Sequence, residues 1–233
     1  MSKYFYAKIT GDYALFTAPE SKGGGEKITY MVPTRQAMQG IVDAIYFKPT
    51  FINVVDEIKI INPIETHTIG VRALYNNGKP GLNYFTVLQN PQYLVKYHFE
   101  WNENRSDLKK DRNIKKHEAI MERSLKRGGR RDIFLGTREF VGYAESVSEE
   151  DYVHDNSCYK GQKLNLGYMF QEFIYPKEEG NLISCYAATI MENGLISYGA
   201  AESCPIKNEL STYKFKRLSE IKSVDQEFEE LGL

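Results

Sequence analysis

PTRQAMQGIVDAIYFKPTFINVVDEIKII, residues 33–61, sets a helix directly ahead of a strand. Pro33 and Thr34 open the helix, Thr34 offering a hydroxyl to its free amides. Met38, Ile41, Val42 and Ile45 then recur at the spacing of one buried helix face. Lys48-Pro49 stops it, because the residue ahead of a proline is pushed out of helical backbone. Tyr46 is thereby expected at the C-terminal end of the helix, on a rim rather than in the middle of a core. Phe51 to Ile61 is rich in β-branched residues and reads as a strand.

Working outward, Tyr4 to Ile9 reads as a first strand, followed by an irregular loop through Gly11 and the Gly23-Gly24-Gly25 run. Thr66 to Leu74 and Asn83 to Leu88 flank the turn-forming stretch Asn76 to Gly81 and predict a long hairpin. Tyr93 to Trp101 alternates, with Val95, Tyr97, Phe99 and Trp101 on one face and Lys96, His98 and Glu100 on the other, as in a half-buried strand. A second helix is expected from Ile114 to Arg127, with Ile114, His117, Met121 and Leu125 on one stripe and Gly128-Gly129 at its end. Asp132 to Phe140 reads as the next strand, interrupted at Gly136.

Strand, helix, strand, hairpin, helix, strand is an elaborated split βαβ order, that of ferredoxin-like and RNA-recognition folds. Beyond it lie a polar, acidic loop, Ser148 to Tyr159, and short strands at Gly167–Tyr175, Leu182–Met191, Leu195–Gly199 and Thr212–Leu218. Asn193-Gly194 is a hairpin turn between two of them. The expected class is α+β. Residues 1–147 form a ferredoxin-like (RRM-like) domain with an elaborated β-hairpin, and 148–233 a small antiparallel β-sheet domain with a loosely ordered acidic tail.

The 233 residues, 42% hydrophobic, suffice to bury a core, and 17 Tyr with 12 Phe supply rings that suit either base stacking or strand packing. Net charge is −1, but its layout is bipolar. Arg105 to Arg131 carries eleven basic residues against four acids, a local +7, while Glu220, Asp225, Glu227, Glu229 and Glu230 face only Lys222 near the C-terminus. A localised anion site fits that layout better than a generally basic surface. Cys158, Cys185 and Cys204 are odd in number and far apart, so neither a disulfide framework nor a zinc site is expected. With no long apolar run, a cytoplasmic protein is expected, with no signal peptide and no membrane partner.

Lys115-Lys116-His117, at the start of the second helix, could bind a phosphate and move a proton, since imidazole exchanges protons near neutrality. The alternative is a hydrogen-bonded core histidine beside a solvated lysine pair, and spacing alone favours it. Tyr46 is the second candidate. Antiparallel helices would bring the end of the first near the start of the second, and Lys116 would favour a phenolate there. An aromatic packed at a helix end is the alternative.

His98, on a polar strand face, touches RNA or solvent in this reading; His67 and His154 stand without a cluster. No His-Glu-x-x-His or Asp-x-Asp pattern occurs, so no metal site and no cofactor are expected. The Gly23-Gly24-Gly25 loop lacks the Gly-Lys-Ser/Thr ending of a phosphate loop, though Lys22 and Lys27 lie where they can reach a nucleic-acid backbone. Lys109, Lys110, Arg112 and Lys115 are the other candidate RNA-binding residues.

GDYALFTAPESKGGGEKITYMVPTRQAMQGIVDAIYFKPTF (Gly11 to Phe51) and RRDIFLGTREFVGYAE (Arg130 to Glu145) resemble the Dvulg-type, subtype I-C family of CRISPR-associated proteins. The family belongs to the repeat-associated RNA-binding superfamily, and the resemblance runs over nearly the whole chain. It implies a ferredoxin-like domain with a small C-terminal β domain, and cleavage of precursor crRNA at the base of the repeat hairpin. It implies a Tyr46, Lys116, His117 catalytic trio and a metal-free attack by the ribose 2′-OH, leaving a 2′,3′-cyclic phosphate and a 5′-hydroxyl. It also implies effector-complex subunits as partners. A binding-only subunit that holds the crRNA 5′ handle is the alternative, a generic RNA-recognition protein is more distant, and duplex DNA is left open as a partner.

Overall fold

The computed structural model describes residues 2–19, 21, 26–74, 78–176, 179–199, 203–213 and 223–231. Lys22 and the Gly23-Gly24-Gly25 run lie outside them. In the first half, β1 (Phe5–Gly11), β2 (Tyr13–Ala14) and β3 (Lys27–Ile28) precede α1 (Arg35–Ile45), β4 (Phe51–Ile60), β5 (Glu65–Leu74), β6 (Pro80–Gln89) and β7 (Gln92–Trp101). A 3-10 turn (Ser106–Asp111) leads into α2 (Ile114–Lys126), β8 (Ile133–Phe134) and β9 (Val141–Ser146). The remainder is α3 (Glu149–His154), β10 (Lys163–Ile174), β11 (Gly180–Glu192), β12 (Leu195–Ser197), β13 (Ile206–Tyr213) and α4 (Val224–Glu230).

The protein is α+β, mostly antiparallel sheet with few helices. Among the described residues the main sheet runs β10-β11-β12-β4-β7-β1-β9-β8, with β13 against β11. A second sheet joins β5, β6, β2 and β3, the last parallel to β6. The long hairpin expected after Ile61 is the β5–β6 pair, in register from Glu65↔Gln89 to Leu74↔Pro80.

Helix α1 forms where its periodicity predicts. Thr34 is its N-cap and accepts from the Ala37 amide at 3.1 Å; Met38, Ile41, Val42 and Ile45 are buried. With Met121 and Leu125 of α2 they close on Ala7, Ile9, Val95 and Tyr97 of the sheet in one cluster. Each Val, Leu, Ile or Met among them contributes about 1.5–3 kcal/mol on burial. Gly128 and Gly129, at φ +83° and +114°, end α2 in backbone that only glycine adopts freely. Asn193 and Gly194, both at positive φ, make the two-residue turn between β11 and β12.

Several expectations need correction. Strand β7 is buried on both faces, not one, because Tyr6, Leu94 and Tyr152 form a second small cluster. The strand expected over Asp132 to Phe140 is only Ile133–Phe134. The Leu135 amide bonds Phe140 O at 2.8 Å, closing a turn, and the full strand is Val141–Ser146. Part of the expected loop Ser148 to Tyr159 is helix α3, capped by Ser148, whose hydroxyl accepts from the Asp151 amide at 3.0 Å. Cys185 and Cys204 are joined in a disulfide with Cα atoms 5.9 Å apart, since β11 and the start of β13 bring distant cysteines together. The expected strand Thr212–Leu218 begins earlier, at Ile206, and its part beyond Tyr213 lies outside the described residues. The acidic tail holds helix α4.

Candidate active site

Tyr46 ends α1. Its amide still bonds Val42 O at 3.2 Å, but its φ of −159° is extended, so the chain leaves the helix and the ring turns inward. It is 1% exposed and packs against Phe51, ring centroids 5.3 Å apart. The rim position expected for it is therefore wrong: the loop after α2 closes over this end. The Arg130 and Arg131 amides bond Ala44 O at 3.2 and 3.1 Å, satisfying carbonyls that a helix end leaves free. The Arg130 guanidinium sits 5.0 Å from the Tyr46 ring centroid.

Asn113 caps α2, its side chain accepting from the Lys116 amide at 3.1 Å. That fixes the first turn so that Lys116 points outward and His117 inward. His117 has no exposed surface and is ringed by Tyr46, Phe51, Phe99 and Trp101, with centroids 5.3–6.3 Å away. Its Nδ1 lies 2.9 Å from Tyr46 Oη, and its Nε2 lies 2.9 Å from the Asp111 carbonyl oxygen. A carbonyl can only accept, so Nε2 carries a proton, and in the neutral ring Nδ1 accepts from the Tyr46 hydroxyl.

The expected Tyr46 phenolate is also corrected. Burial pushes the Tyr46 pKa up, against a smaller opposite pull from Arg130. The phenol stays protonated near neutrality.

The Asp111 carboxylate covers this pair. Oδ1 accepts from Lys116 Nζ, Oδ2 accepts from Thr50 Oγ1 at 2.8 Å, and Oδ2 lies 3.4 Å from His117 Nε2. The Lys116 bond, then the Thr50 bond, hold its pKa down to about 2. Lys116 and His117 thus converge on one anion, and Tyr46 backs His117 through Nδ1. The arrangement can neutralise negative charge through Lys116 and pass a proton along the Tyr46–His117 contact.

Residues 5–197 match the Cas5d family description, CRISPR-associated protein (Cas_Cas5). The chain belongs to this Cas5 family. Among curated proteins, it is 27% identical over 213 residues to "CRISPR pre-crRNA endoribonuclease Cas5d" of Mannheimia succiniciproducens, covering 81% of this chain and 91% of that one. It is 29% identical over 184 residues to the protein of the same name from Thermus thermophilus, covering 74% of each. Among solved structures, it superposes on a functionally uncharacterized protein from Streptococcus mutans with TM-score 0.77 and 50% identity, covering 89% of this chain and 97% of that one. A structure described as a CRISPR-associated protein matches with TM-score 0.76 and 45% identity, at the same coverage.

Of the other residues singled out in this Cas5 chain, Lys109 and Lys110 are exposed on the 3-10 turn that carries Asp111, and Lys115 is exposed beside Lys116. Arg112 is folded inward, bonded to Glu103 at 2.8 Å and to Asn102 O at 2.9 Å. Lys27 lies in the second sheet, its ammonium 4.7 Å from the Phe85 ring centroid. His98 is buried, held by Asp56 at 2.8 Å and Glu100 at 3.3 Å rather than facing solvent.

Sequence reasoning missed Thr50, Asp111 and the Phe51–Phe99–Trp101 cage. Asp111 counted only as one acid in a basic segment, and no spacing rule links it to Thr50, sixty-one residues away. Among the described residues no group of His, Cys, Asp and Glu could hold a metal ion, and no helix is long and apolar enough to cross a membrane. A cavity of about 620 Å³ lined by Phe16, Tyr30, Phe170, Phe173 and Tyr186 contains none of the trio.

Proposed function

We propose that this chain is a metal-independent endoribonuclease that cuts CRISPR repeat RNA at the base of the repeat hairpin. The observation that carries the reading is the Tyr46–His117–Lys116 convergence in a Cas5 chain, built from two helix ends seventy residues apart. Both curated relatives named above are called pre-crRNA endoribonucleases, which supports the substrate.

The nucleophile is the substrate's own 2′-hydroxyl next to the scissile bond. It loses its proton to the Tyr46–His117 pair and attacks the phosphorus in line. The 5′-oxygen leaves with a proton, giving a 2′,3′-cyclic phosphate and a 5′-hydroxyl. Lys116 neutralises charge on the pentacovalent phosphate. Once Nε2 is released, His117 takes the 2′-hydroxyl proton there in its other tautomer, with Nδ1–H donating to the Tyr46 oxygen, and the imidazolium so formed gives a proton to the leaving 5′-oxygen. We assign Lys109, Lys110 and Lys115 to neighbouring phosphates, with Lys22 and Lys27 as further RNA contacts; Arg112, committed to Glu103 and Asn102, is not assigned one. No cofactor enters the reaction. After cutting, the protein stays on the crRNA 5′ handle with other subunits of a subtype I-C effector complex, in the cytoplasm; duplex DNA is a further possible ligand.

We read residues 1–147 as the ferredoxin-like unit that carries this site, and 148–233 as a smaller β unit. The antiparallel order β4-β7-β1-β9, with α1 and α2 as crossovers, supports the first. The second functional reading, a subunit that binds crRNA without cutting, is favoured by one observation: Tyr46 and His117 present almost no surface to a substrate.

The deciding experiment incubates labelled repeat RNA with wild type and His117→Ala in EDTA, with binding measured in parallel. Cutting by wild type, lost in the variant with binding retained, is expected. Binding without cutting by wild type would leave the second reading.

A further inference from the structure

Asp111 touches three polar groups of the candidate site, Thr50, Lys116 and His117 Nε2. Its carboxylate takes Thr50 Oγ1 and Lys116 Nζ and lies 3.4 Å from His117 Nε2, while its carbonyl takes the Nε2 proton. A carboxylate and the two non-bridging oxygens of a phosphodiester are similar ligands. Each carries one negative charge over two acceptor oxygens, and each is bound by ammonium and hydroxyl donors. Exchanging one for the other leaves the net charge of the cradle unchanged.

The segment that delivers Asp111 is built to leave. The Ser106–Asp111 turn buries no residue and exposes Lys109 and Lys110. It is held by the side-chain bonds of Asp111 to Thr50 and Lys116 and by the Asn113 amide on Asp111 O at 2.8 Å, rather than by apolar packing. Segments with little buried apolar surface open at low cost. Because the carboxylate and the carbonyl belong to one residue, one movement frees both Lys116 and His117 Nε2.

We propose that the Asp111 carboxylate occupies the seat of the scissile phosphate, and that Thr50 passes with Lys116 and His117 from Asp111 to the RNA when this turn swings out. This rests on the endoribonuclease reading and adds to it a phosphate ligand, Thr50, and an internal competitor, Asp111. RNA affinity is lowered by the fraction of molecules in which the seat is taken.

The test uses the full chain and the host's repeat RNA, in two forms: unmodified, and with a 2′-deoxy nucleotide at the cut position. Asp111→Asn keeps the shape and removes the charge that holds Lys116. It is expected to bind the deoxy RNA about tenfold more tightly than wild type, and to cut the unmodified RNA at least as fast at subsaturating concentration. Unchanged affinity overturns the competitor; tighter binding with cutting abolished overturns the view that Asp111 only vacates the seat.

Thr50 is read in the Asp111→Ala background, which leaves no side-chain acceptor for it at residue 111. There Thr50→Val is expected to cut about tenfold more slowly and Thr50→Ser at the parent rate. A silent Thr50→Val overturns the phosphate assignment. Should Asp111→Asn fold poorly, hydrogen exchange on wild type gives the answer. Amides of residues 106–112 should exchange faster with the deoxy RNA bound, and unchanged protection overturns the opening. If wild type does not cut at all, the endoribonuclease reading fails, while the affinity comparison on deoxy RNA still decides whether Asp111 competes for the seat.

Discussion

His98 and His117 are both buried, yet their neighbours ask different things of them. His98 lies between two carboxylates, and the hydrogen bond to Asp56 is the largest influence raising its pKa, opposed by burial. The Tyr4 ring stands edge-on 5.6 Å from it, with Lys96 Nζ 4.7 Å from the Tyr4 ring centroid. A histidine whose folded pKa is raised stabilises the fold fully below its unfolded value of about 6.5, and that stability is lost as pH rises through the folded value. Thermal unfolding of wild type should therefore lose more stability than His98→Gln between about pH 6 and pH 8. Parallel pH profiles for the two proteins would remove His98 as the source. Tyr46 supplies the second residue-scale prediction. Tyr46→Phe keeps the packing on Phe51 but leaves His117 Nδ1 without its partner, which costs about 1–3 kcal/mol of stability for a buried acceptor. Repeat-RNA cleavage should fall about 10²-fold with binding intact, because the ring loses its orienting contact. A Tyr46→Phe enzyme that cuts at the wild-type rate would reduce Tyr46 to a packing residue.

Glycine 136 shows, at the scale of elements, why part of the fold was unreadable in the sequence. Its φ is +97°, and a Cβ there would lie 2.0 Å from the Leu15 carbonyl oxygen. The backbone of the Gly136 turn is pressed against the β2 region, where the Leu15 amide bonds Leu135 O at 2.9 Å. Gly136→Ala should cost about 3 kcal/mol or more, read from the denaturant midpoint, since both the conformation and the contact forbid a side chain. Gly40, on the exposed face of α1 with open space around its Cβ position, is the counter-case. Gly40→Ala should stabilise the protein by about 0.5–1 kcal/mol. The alternation rule reads only local pattern, so it took Asp132 to Phe140 for a strand. The tertiary contact with Leu15 makes it a turn and moves the strand to Val141–Ser146. Helix α1 was legible down to its cap because Thr34 and the Met38–Ile45 stripe are local signals. For the site, Lys116 and His117 were legible as a cluster and Tyr46 as a helix end. Their convergence needed the helix pairing of the proposed fold, and Asp111 and Thr50 had no local signal at all.

The molecule as a whole is joined across residue 147 by both backbone and core. Strand β12 pairs with β4 through Leu195↔Lys59, Ile196↔Ile58 and Ser197↔Glu57, so one sheet passes through both halves of the chain. Met169, Met191 and Ile196 lie in the same buried cluster as Met38, Val55 and Ile58. Arg35 of α1 is paired with Glu172 of β10, both side chains largely buried, and the Phe173 amide bonds Gln36 Oε1 at 2.7 Å. Separating the halves would expose that apolar surface and strand the ion pair, and breaking such a pair on one side alone costs about 3–5 kcal/mol. The two proposed units should therefore unfold together. Trp101, the single tryptophan, reports from the end of β7, while far-ultraviolet circular dichroism reports from the whole sheet. Their denaturant curves should coincide in wild type. Ile196→Ala, which empties a buried position at the junction, should shift both curves by the same about 2–5 kcal/mol. If the tryptophan curve stays in place while the dichroism splits into two steps, the junction does not couple the halves, and residues 1–147 would hold the candidate site without the strands that follow.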